Sequence, residues 1–196
     1  MASLFDTLQA GAQRAGVKAR TKDSQKWFRK KAQELVMPNR KALLKDDALE
    51  RTGRNIRGNM YMYFYDPKFK ETLPYYDRFP LTIMIDPAPG GFYGLNLHYL
   101  NYPVRARFLD ELMNLAPNNV KDTTRLVKLR YDLLQSVKKY KEFKPCFKHY
   151  LGKHVVSQFS RVPMTDWEIA IFLPVEQFKK KSKASIWNES LKIARS

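Results

Sequence analysis

Three short apolar runs in the middle of the chain predict β-strands. The runs are Met60 to Tyr65, Leu81 to Ile85 and Phe92 to Tyr99, and they are rich in Tyr, Phe and Ile. Asp-Pro follows each of the first two runs, and Gly90-Gly91 precedes the third. Because proline fixes φ and has no N–H for a ladder hydrogen bond, Asp-Pro is expected to end a strand. The pattern predicts three antiparallel strands in a small sheet or a partial barrel.

The first 57 residues predict a basic and mostly helical extension. Apolar residues between Leu4 and Leu8 share one face of a short helix. Ser24 to Met37 predicts a second helix, ended by Pro38, with an apolar stripe opposite a basic face. A third short helix is expected from Asn39 to Arg51. The apolar stripe of the second helix consists of Trp27, Phe28, Ala32, Leu35 and Val36.

Helical spacing of apolar residues returns after the strands. It predicts a helix from Val104 to Leu115 and another that begins at Asp122 or Thr123, the two packing as an antiparallel pair on the sheet. A basic segment follows, KKYKEFKPCFKHYLGK from residue 138 to 153. His149 within it and His154 directly after it are expected on a basic helix.

The last forty residues predict one more strand and two more helices. Val155 to Val162 fits a fourth strand. Thr165 and Glu168 have the spacing of a capping box ahead of a short apolar run, which favours a short helix there, with a strand as the alternative. A terminal basic helix is expected from Val175 to Ala194.

These patterns together predict an α+β fold. A small antiparallel sheet or partial barrel would carry helices packed on it, with basic helical arms at both termini. The expected organisation is a basic, mostly helical N-terminal extension over 1–57, an α+β core over 58–174 and a basic C-terminal helix over 175–196.

The net charge is +17 at pH 7, from 36 Lys and Arg against 19 Asp and Glu, and this charge needs an explanation. Solubility of a small domain needs a net charge of only about 2–8 in magnitude. The surplus indicates an anionic partner, such as nucleic acid, an anionic membrane or an acidic protein surface. No apolar segment approaches the roughly 20 residues of a membrane span. The N-terminus also lacks the basic-then-apolar order of a signal peptide.

Nucleophilic catalysis and metal binding have little support. Cys146 lies between Lys144 and Lys148, which could lower its pKa, but no Asn or Asp is identifiable to orient His149 beside it. His149 and His154 are five residues apart, a poor fit to the four-residue spacing of two ligands on one helical face. A lone cysteine is more often a small core residue.

A nuclease site and a nucleotide cofactor are also poorly supported. A metal-dependent nuclease needs converging carboxylates, and Asp66, Asp77 and Asp86 are the acids near the strands. Each of them also stands where a turn favours Asp. The chain has no GxxxxGK loop, and Gly90-Gly91 followed by Gly94 does not match the dinucleotide fingerprint. No cofactor and no small-molecule substrate are therefore expected.

Nucleic-acid binding is the best-supported chemistry. Lys and Arg neutralise phosphates, and aromatic rings can stack on unpaired bases. Both types alternate in residues 27–31 and 138–153, although the aromatics there could equally be the buried faces of amphipathic helices. Tyr75 and Tyr76, expected on an exposed loop, are further candidate contacts. The candidate phosphate contacts are Arg29, Lys30, Lys31, Lys138, Lys139, Lys141, Lys144, Lys148, Lys179, Lys180 and Lys181.

The segments MYMYFYDPKFKETLPYYDRFPL, FKPCFKHYL and WEIAIFLP, with LFDTLQAGAQRAG near the N-terminus, resemble a family of small virion-associated proteins of contractile-tailed bacteriophages. That family carries the label DNA end protector. The resemblance covers most of residues 58–192. It implies binding to the ends of packaged double-stranded DNA and shielding of those ends from host exonuclease. It brings no catalytic residues to this chain.

Charge and resemblance together predict a phage protein that binds double-stranded DNA without sequence preference, at or near genome ends, and that is not an enzyme. No helix-turn-helix, zinc-finger or ribonucleoprotein signature indicates sequence-specific recognition. The alternative is a structural virion component, such as a neck, tail or baseplate subunit, whose basic arms contact neighbouring subunits. The expected location is the virion, and the host cytoplasm during assembly.

Overall fold

An antiparallel sheet of six strands forms the centre of the fold. The computed structural model describes residues 3–114 and 141–196. Within these ranges the helices are α1 (Leu4–Arg14), α2 (Lys22–Glu34), α3 (Arg40–Leu43), α4 (Tyr102–Asn114), α5 (Trp167–Ala170) and α6 (Lys183–Arg195). The strands are β1 (Glu50–Thr52), β2 (Met60–Met62), β3 (Tyr76–Asp77), β4 (Leu81–Ala88), β5 (Gly91–Asn96), β6 (Phe147–Leu151), β7 (Phe159–Val162) and β8 (Phe178–Lys179). The sheet has the order β1-β7-β2-β4-β5-β6, while β3 and β8 form a separate two-stranded ladder. The predicted α+β class is confirmed.

The three predicted central strands and the fourth strand are present as β2, β4, β5 and β7. The expectation that Asp86-Pro87 ends its strand is wrong, because β4 continues through Ala88 and Pro87 pairs with Phe92. The register shifts between Met84 and Asp86, and the pairing of β4 with β2 ends at Ile83. Beyond that point one side of β4 has no neighbouring strand, so a proline without an N–H is tolerated.

Several predicted helices are shorter than expected or absent. The region from Asn39 to Arg51 contains only the single turn of α3 before β1 begins. The expected basic helix around His149 and His154 is a 3-10 turn (Lys141–Cys146) followed by β6. The helix that was expected to begin at Val175 begins at Lys183, after β8. The predicted helix after residue 121 lies outside the described residues.

Packing explains these differences better than local propensity does. Phe178 pairs with Asp77 in the β3–β8 ladder, and its ring contacts the Tyr99 ring at 5.2 Å between centroids. This strand pairing overrides the helical spacing of its segment. In α2, Phe28 and Ala32 are buried as predicted, but the helix ends at Glu34 and leaves Val36 93% exposed. Tertiary contacts, which the pattern does not contain, decide these boundaries.

One face of the sheet packs against the helices in a single hydrophobic core. Phe5 of α1 and Phe28 of α2 are buried in the same cluster as Met60, Leu81 and Ile186. The first 57 residues, the strands and the C-terminal helix therefore share one core. None of the helices in the described part of the chain combines the length and the apolar character needed to cross a membrane.

The other face of the sheet carries a cluster of aromatic side chains, mostly tyrosines. Phe159 of β7 and Phe92 of β5 are separated by two strands, a distance of roughly 14 Å in a flat sheet. Their ring centroids are nevertheless 5.8 Å apart, and those of Tyr63 and Tyr150 are 5.6 Å apart. The sheet therefore curves around these rings, in agreement with the predicted partial barrel, and it does not close.

A buried carboxylate, Asp77, joins the two sheets. Its Oδ1 accepts hydrogen bonds from the backbone N–H groups of Phe79 and Gln177, both at 3.0 Å. Its Oδ2 accepts from Asn96 Nδ2 at 3.1 Å and from His98 Nδ1 at 2.7 Å. Burial alone would raise the pKa of Asp77, but His98 and the backbone donors together hold it below its ordinary value.

A second buried polar residue, Arg105 of α4, ties the turn after β5 to the helices. Its guanidinium donates to the carbonyl oxygens of Leu100 at 2.7 Å, Ile171 at 2.8 Å and His98 at 3.3 Å. Trp187 Nε1 donates to the same His98 carbonyl at 2.8 Å. The segment from Asn96 to Leu100 is thus fixed by hydrogen bonds on both sides, in addition to its apolar contacts.

Two buried acids hold α1 and α2 on the short helix α5. Asp166 accepts a hydrogen bond from Gln9 of α1, and Glu168 accepts one from Ser24 of α2. The predicted capping box is wrong, because Glu168 makes this contact instead of capping α5 and Thr165 is exposed. Burial raises the pKa of Asp166 to about 6, with the charges of Asp6 and Asp46 adding to the effect against the Gln9 hydrogen bond.

We expect Asp77→Asn to destabilise the protein strongly. The amide N–H₂ group of asparagine would face groups that are themselves donors, so asparagine cannot replace both carboxylate oxygens as acceptors. Removal of one partner of a buried ion pair costs about 3 kcal/mol or more. Urea unfolding measures the loss. Asp66→Asn is the matched control, because Asp66 forms only a surface ion pair with Lys70. Equal unfolding midpoints for the two variants would contradict the role of Asp77.

Because the pKa of Asp166 is raised, we expect the free energy of unfolding to be higher at acidic pH than at neutral pH. Between about pH 4 and pH 6 the folded carboxyl binds protons that the unfolded one has released, so stability falls as pH rises. We expect Asp166→Asn to raise the free energy of unfolding at pH 7 by about 1–2 kcal/mol and to have little effect at pH 4. Unfolding curves of both proteins at pH 4, 5, 6 and 7 test this expectation, which a pH-independent difference would refute.

Candidate nucleic-acid interface

A cleft of about 470 Å³, here called the tyrosine cleft, lies between the loop from Pro67 to Tyr76 and strand β6. Most of its lining side chains are aromatic or basic. The lining residues are Tyr65, Pro67, Lys68, Phe69, Leu73, Tyr75, Tyr76, Asp77, Tyr99, Lys148, His149, Tyr150 and Leu151. The cleft therefore combines stacking surfaces with positive charge, which is the chemistry of a site for unpaired nucleotides.

The loop wall of the cleft is held by contacts at both of its ends. At one end, Asp66 N–H donates to the His154 carbonyl at 2.9 Å, and His154 Nδ1 contacts the Asp66 carbonyl at 2.8 Å. At the other end, Lys180 Nζ donates to the carbonyls of Glu71 at 2.7 Å and Leu73 at 3.0 Å. Lys180 has a φ of +68°, a conformation that non-glycine residues rarely adopt. These contacts give the loop a defined position against β6.

The floor of the cleft is continuous with the Asp77 network. Asn96, which donates to Asp77, also donates to the Tyr150 hydroxyl at 3.1 Å. Tyr65 OH accepts from the Leu151 N–H at 3.1 Å, joining the start of the loop to β6. Burial raises the pKa values of Tyr65, Tyr99 and Tyr150, so these phenols remain neutral near pH 7. The buried carboxylate thus helps to fix the floor of the cleft.

Lys148 projects into the cleft from β6. Its Nζ lies 4.0 Å from the centroid of the Tyr99 ring. No described carboxylate forms an ion pair with this ammonium. Burial lowers the pKa of Lys148, which means that its charge is incompletely solvated. An anionic group in the cleft would compensate for that lost solvation.

Three further candidate lysines border the same cleft. Lys179 pairs with Tyr76 in the β3–β8 ladder and is exposed. Lys180 braces the loop as described, and Lys181 lies 5.0 Å from the centroid of the Tyr75 ring while it forms an ion pair with Glu189. These three lysines therefore contact the loop that forms one wall of the cleft, whereas Lys148 lies in the cleft on β6.

The other candidate residues lie elsewhere on the surface. Arg29, Lys30 and Lys31 are on α2, where Arg29 lies 5.9 Å from the Tyr102 ring and Lys31 pairs with Glu34. Lys141 donates to the Ser196 carbonyl at 3.0 Å, and Lys144 is exposed in the turn before β6. Lys138 and Lys139 are outside the described residues.

The residues considered for catalysis are either buried in the core or engaged in ion pairs. Cys146 is buried, and burial raises the pKa of its thiol to about 12, which leaves it in the unreactive form. Asp66 pairs with Lys70, Asp77 with His98, and Asp86 with Arg57. In the described ranges no three His, Cys, Asp or Glu side chains are grouped so that they could hold a metal ion.

Sequence reasoning missed several residues of the cleft, among them Lys68, Phe69 and Tyr99. Phe69 is 59% exposed, and Lys68 Nζ lies 5.1 Å from the centroid of its ring. The run Lys68-Phe69-Lys70 has the same alternation of cations and aromatics that marked residues 138–153, so a signal was present. Tyr99 could not be found in this way, because it reaches the cleft through the turn that follows β5.

A known protein family matches nearly the whole chain. Residues 2–192 match the family model described as phage T4 terminal DNA protecting protein. The chain matches no curated protein and no solved structure. Because the family model covers almost the full length, the chain belongs to the phage T4 terminal DNA protecting protein family.

Proposed function

We propose that this protein binds the ends of linear double-stranded DNA without sequence preference and shields them from exonucleases in the virion. It does so by occupying the end, and it performs no chemistry of its own. Family membership supports the biological setting, which is protection of phage DNA termini. The mode of binding is argued from the charge and from the placement of the cations.

The observation that carries the proposal is the excess of cations over carboxylates. If each of the 19 Asp and Glu side chains neutralised one of the 36 Lys and Arg side chains, 17 cations would still lack an acidic partner within the chain. Lys30, Lys144 and Lys179 are exposed and form no ion pair with a described carboxylate. Cations of this kind attract a polyanion and release its condensed counterions on binding.

Among the described residues, these three exposed cations lie on three different elements and not along one helix that could enter a DNA groove. Lys179 lies in a two-residue strand, Lys144 in a 3-10 turn and Lys30 on α2. Contacts to phosphates position a protein on DNA, whereas contacts to base edges in the grooves give sequence specificity. The arrangement therefore supports binding to the backbone, with the same affinity for different sequences.

Exonuclease protection tests the function itself. We expect the protein to slow the degradation of a linear blunt duplex by a processive exonuclease, and to do so equally for two unrelated sequences. An assay of residual full-length duplex against protein concentration measures the effect. A structural virion component that uses its cations only for contacts with neighbouring subunits would give no protection, and that result would overturn the proposal.

Salt dependence and charge reversal test the phosphate contacts. We expect log affinity for the duplex to fall linearly with log salt, and the triple variant Lys30→Glu, Lys144→Glu, Lys179→Glu to reduce the slope by roughly 1 for each lost contact. The matched control reverses Lys18, Lys41 and Lys45, which are also exposed and are not candidate contacts. Both triple variants have the same net charge. Equal losses of affinity in the two would refute the assignment of phosphate contacts to Lys30, Lys144 and Lys179.

A further inference from the structure

We propose that the tyrosine cleft holds the terminal nucleotide of a DNA end, with its base stacked on aromatic side chains and its phosphate facing Lys148 and Lys68. This inference rests on the proposed function and adds the site at which the protein distinguishes an end from the interior of a duplex. The surface cations contact phosphates anywhere on DNA, so they cannot make this distinction.

The aromatic side chains supply the stacking surface. Phe69 stands at the rim of the cleft, and 59% of its surface is exposed in the described part of the chain, so its ring is accessible to a ligand. Tyr75 and Tyr76 line the cleft behind it and are half-buried. A base can reach such rings only when it is unpaired and unstacked, and that condition is met at a frayed or single-stranded terminus.

The basic side chains supply the phosphate contact. Lys148 lies half-buried in the cleft without a described carboxylate partner, and Lys68 stands at the rim beside Phe69. Asp77, the acid in the lining, has both oxygens occupied by its four donors and faces the interior. The charge that the cleft presents to a ligand is therefore positive.

The cleft is large enough for a nucleotide, and the chemistry of its lining favours it over another cavity of similar size. Its volume of about 470 Å³ falls within the range of roughly 300–1,000 Å³ that is usual for small-molecule sites. A cavity of about 370 Å³ between α1, α2 and α4 is lined by the two acids Asp110 and Glu168 and by one cation, Arg20, whose backbone N–H donates to Glu168. Those acids would repel a phosphate, so that cavity does not suit a nucleotide.

Fluorescence of a terminal base analogue tests the inference. Two duplexes carry an unpaired 2-aminopurine, one at the 3′ and one at the 5′ terminus. We expect the wild-type protein to quench at least one of them by stacking, and to bind linear duplex roughly tenfold more tightly than a relaxed closed circle of the same sequence. Phe69→Ala and Lys148→Met are expected to abolish the quenching and to reduce the affinity for linear duplex to that for the circle.

Val156→Ala is the matched control, because Val156 is 58% exposed and lies outside the cleft. It is expected to behave as wild type, and thermal unfolding checks that all three variants are folded. If the wild type protects linear DNA but quenches neither analogue, or if Phe69→Ala and Lys148→Met retain quenching and end preference, the cleft is not the end site and the proposed function stands. If the wild type neither binds nor protects linear duplex, the proposed function itself fails.

Discussion

The buried carboxylate of Asp77 is the constraint on which the rest of the structure depends. It lies in a strand of two residues, a length that gives little stability by itself. Its four hydrogen bonds connect that strand to the end of β5, to the turn at His98 and to the segment before β8. Through Asn96 the same network reaches Tyr150 in the six-stranded sheet. A charge buried in this way is tolerated only because every acceptor site is used.

The tyrosine cleft follows from that arrangement. Its floor is part of the Asp77 network, and its loop wall is held by His154 on one side and Lys180 on the other. A site built on hydrogen-bonded walls needs little reordering when a ligand enters, which lowers the entropic cost of binding. In the proposed function, the excess of cations supplies a general attraction for DNA, and the cleft supplies a defined aromatic site at one place on the surface.

Local signals in the sequence predicted the centre of the fold well. The runs around Met60, Leu81 and Phe92 became strands because their aromatic and β-branched residues suit a sheet and their turn residues break a helix. The region from Val175 to Lys181 was wrongly predicted to be helical, because its conformation depends on distant residues. Gln177 contacts Asp77, 100 residues away, and Phe178 contacts Tyr99, about 80 residues away. Contacts across such separations leave no periodicity in either segment.

Only part of the candidate site could be predicted from the sequence, because long-range contacts bring its residues together. Tyr75, Tyr76 and Lys148 were identified from the sequence pattern, and the structure places all three in one cleft. Lys179, Lys180 and Lys181 lie against the loop that forms its wall. Neither the cleft nor the role of Lys180 in bracing its wall could be derived from spacing, because both depend on how β6 and β8 pair. The sequence contained the residues of the site, and the topology assembled them.

Photochemical cross-linking from the DNA terminus tests the central claim most directly. A linear duplex with 4-thiothymidine as its terminal nucleotide would be irradiated in complex with the full chain, and the cross-linked peptides would be identified by mass spectrometry. The account predicts cross-links in residues 65–76 and 147–151, which form the walls of the tyrosine cleft. Cross-links confined to α2 and other surfaces outside the cleft would contradict it.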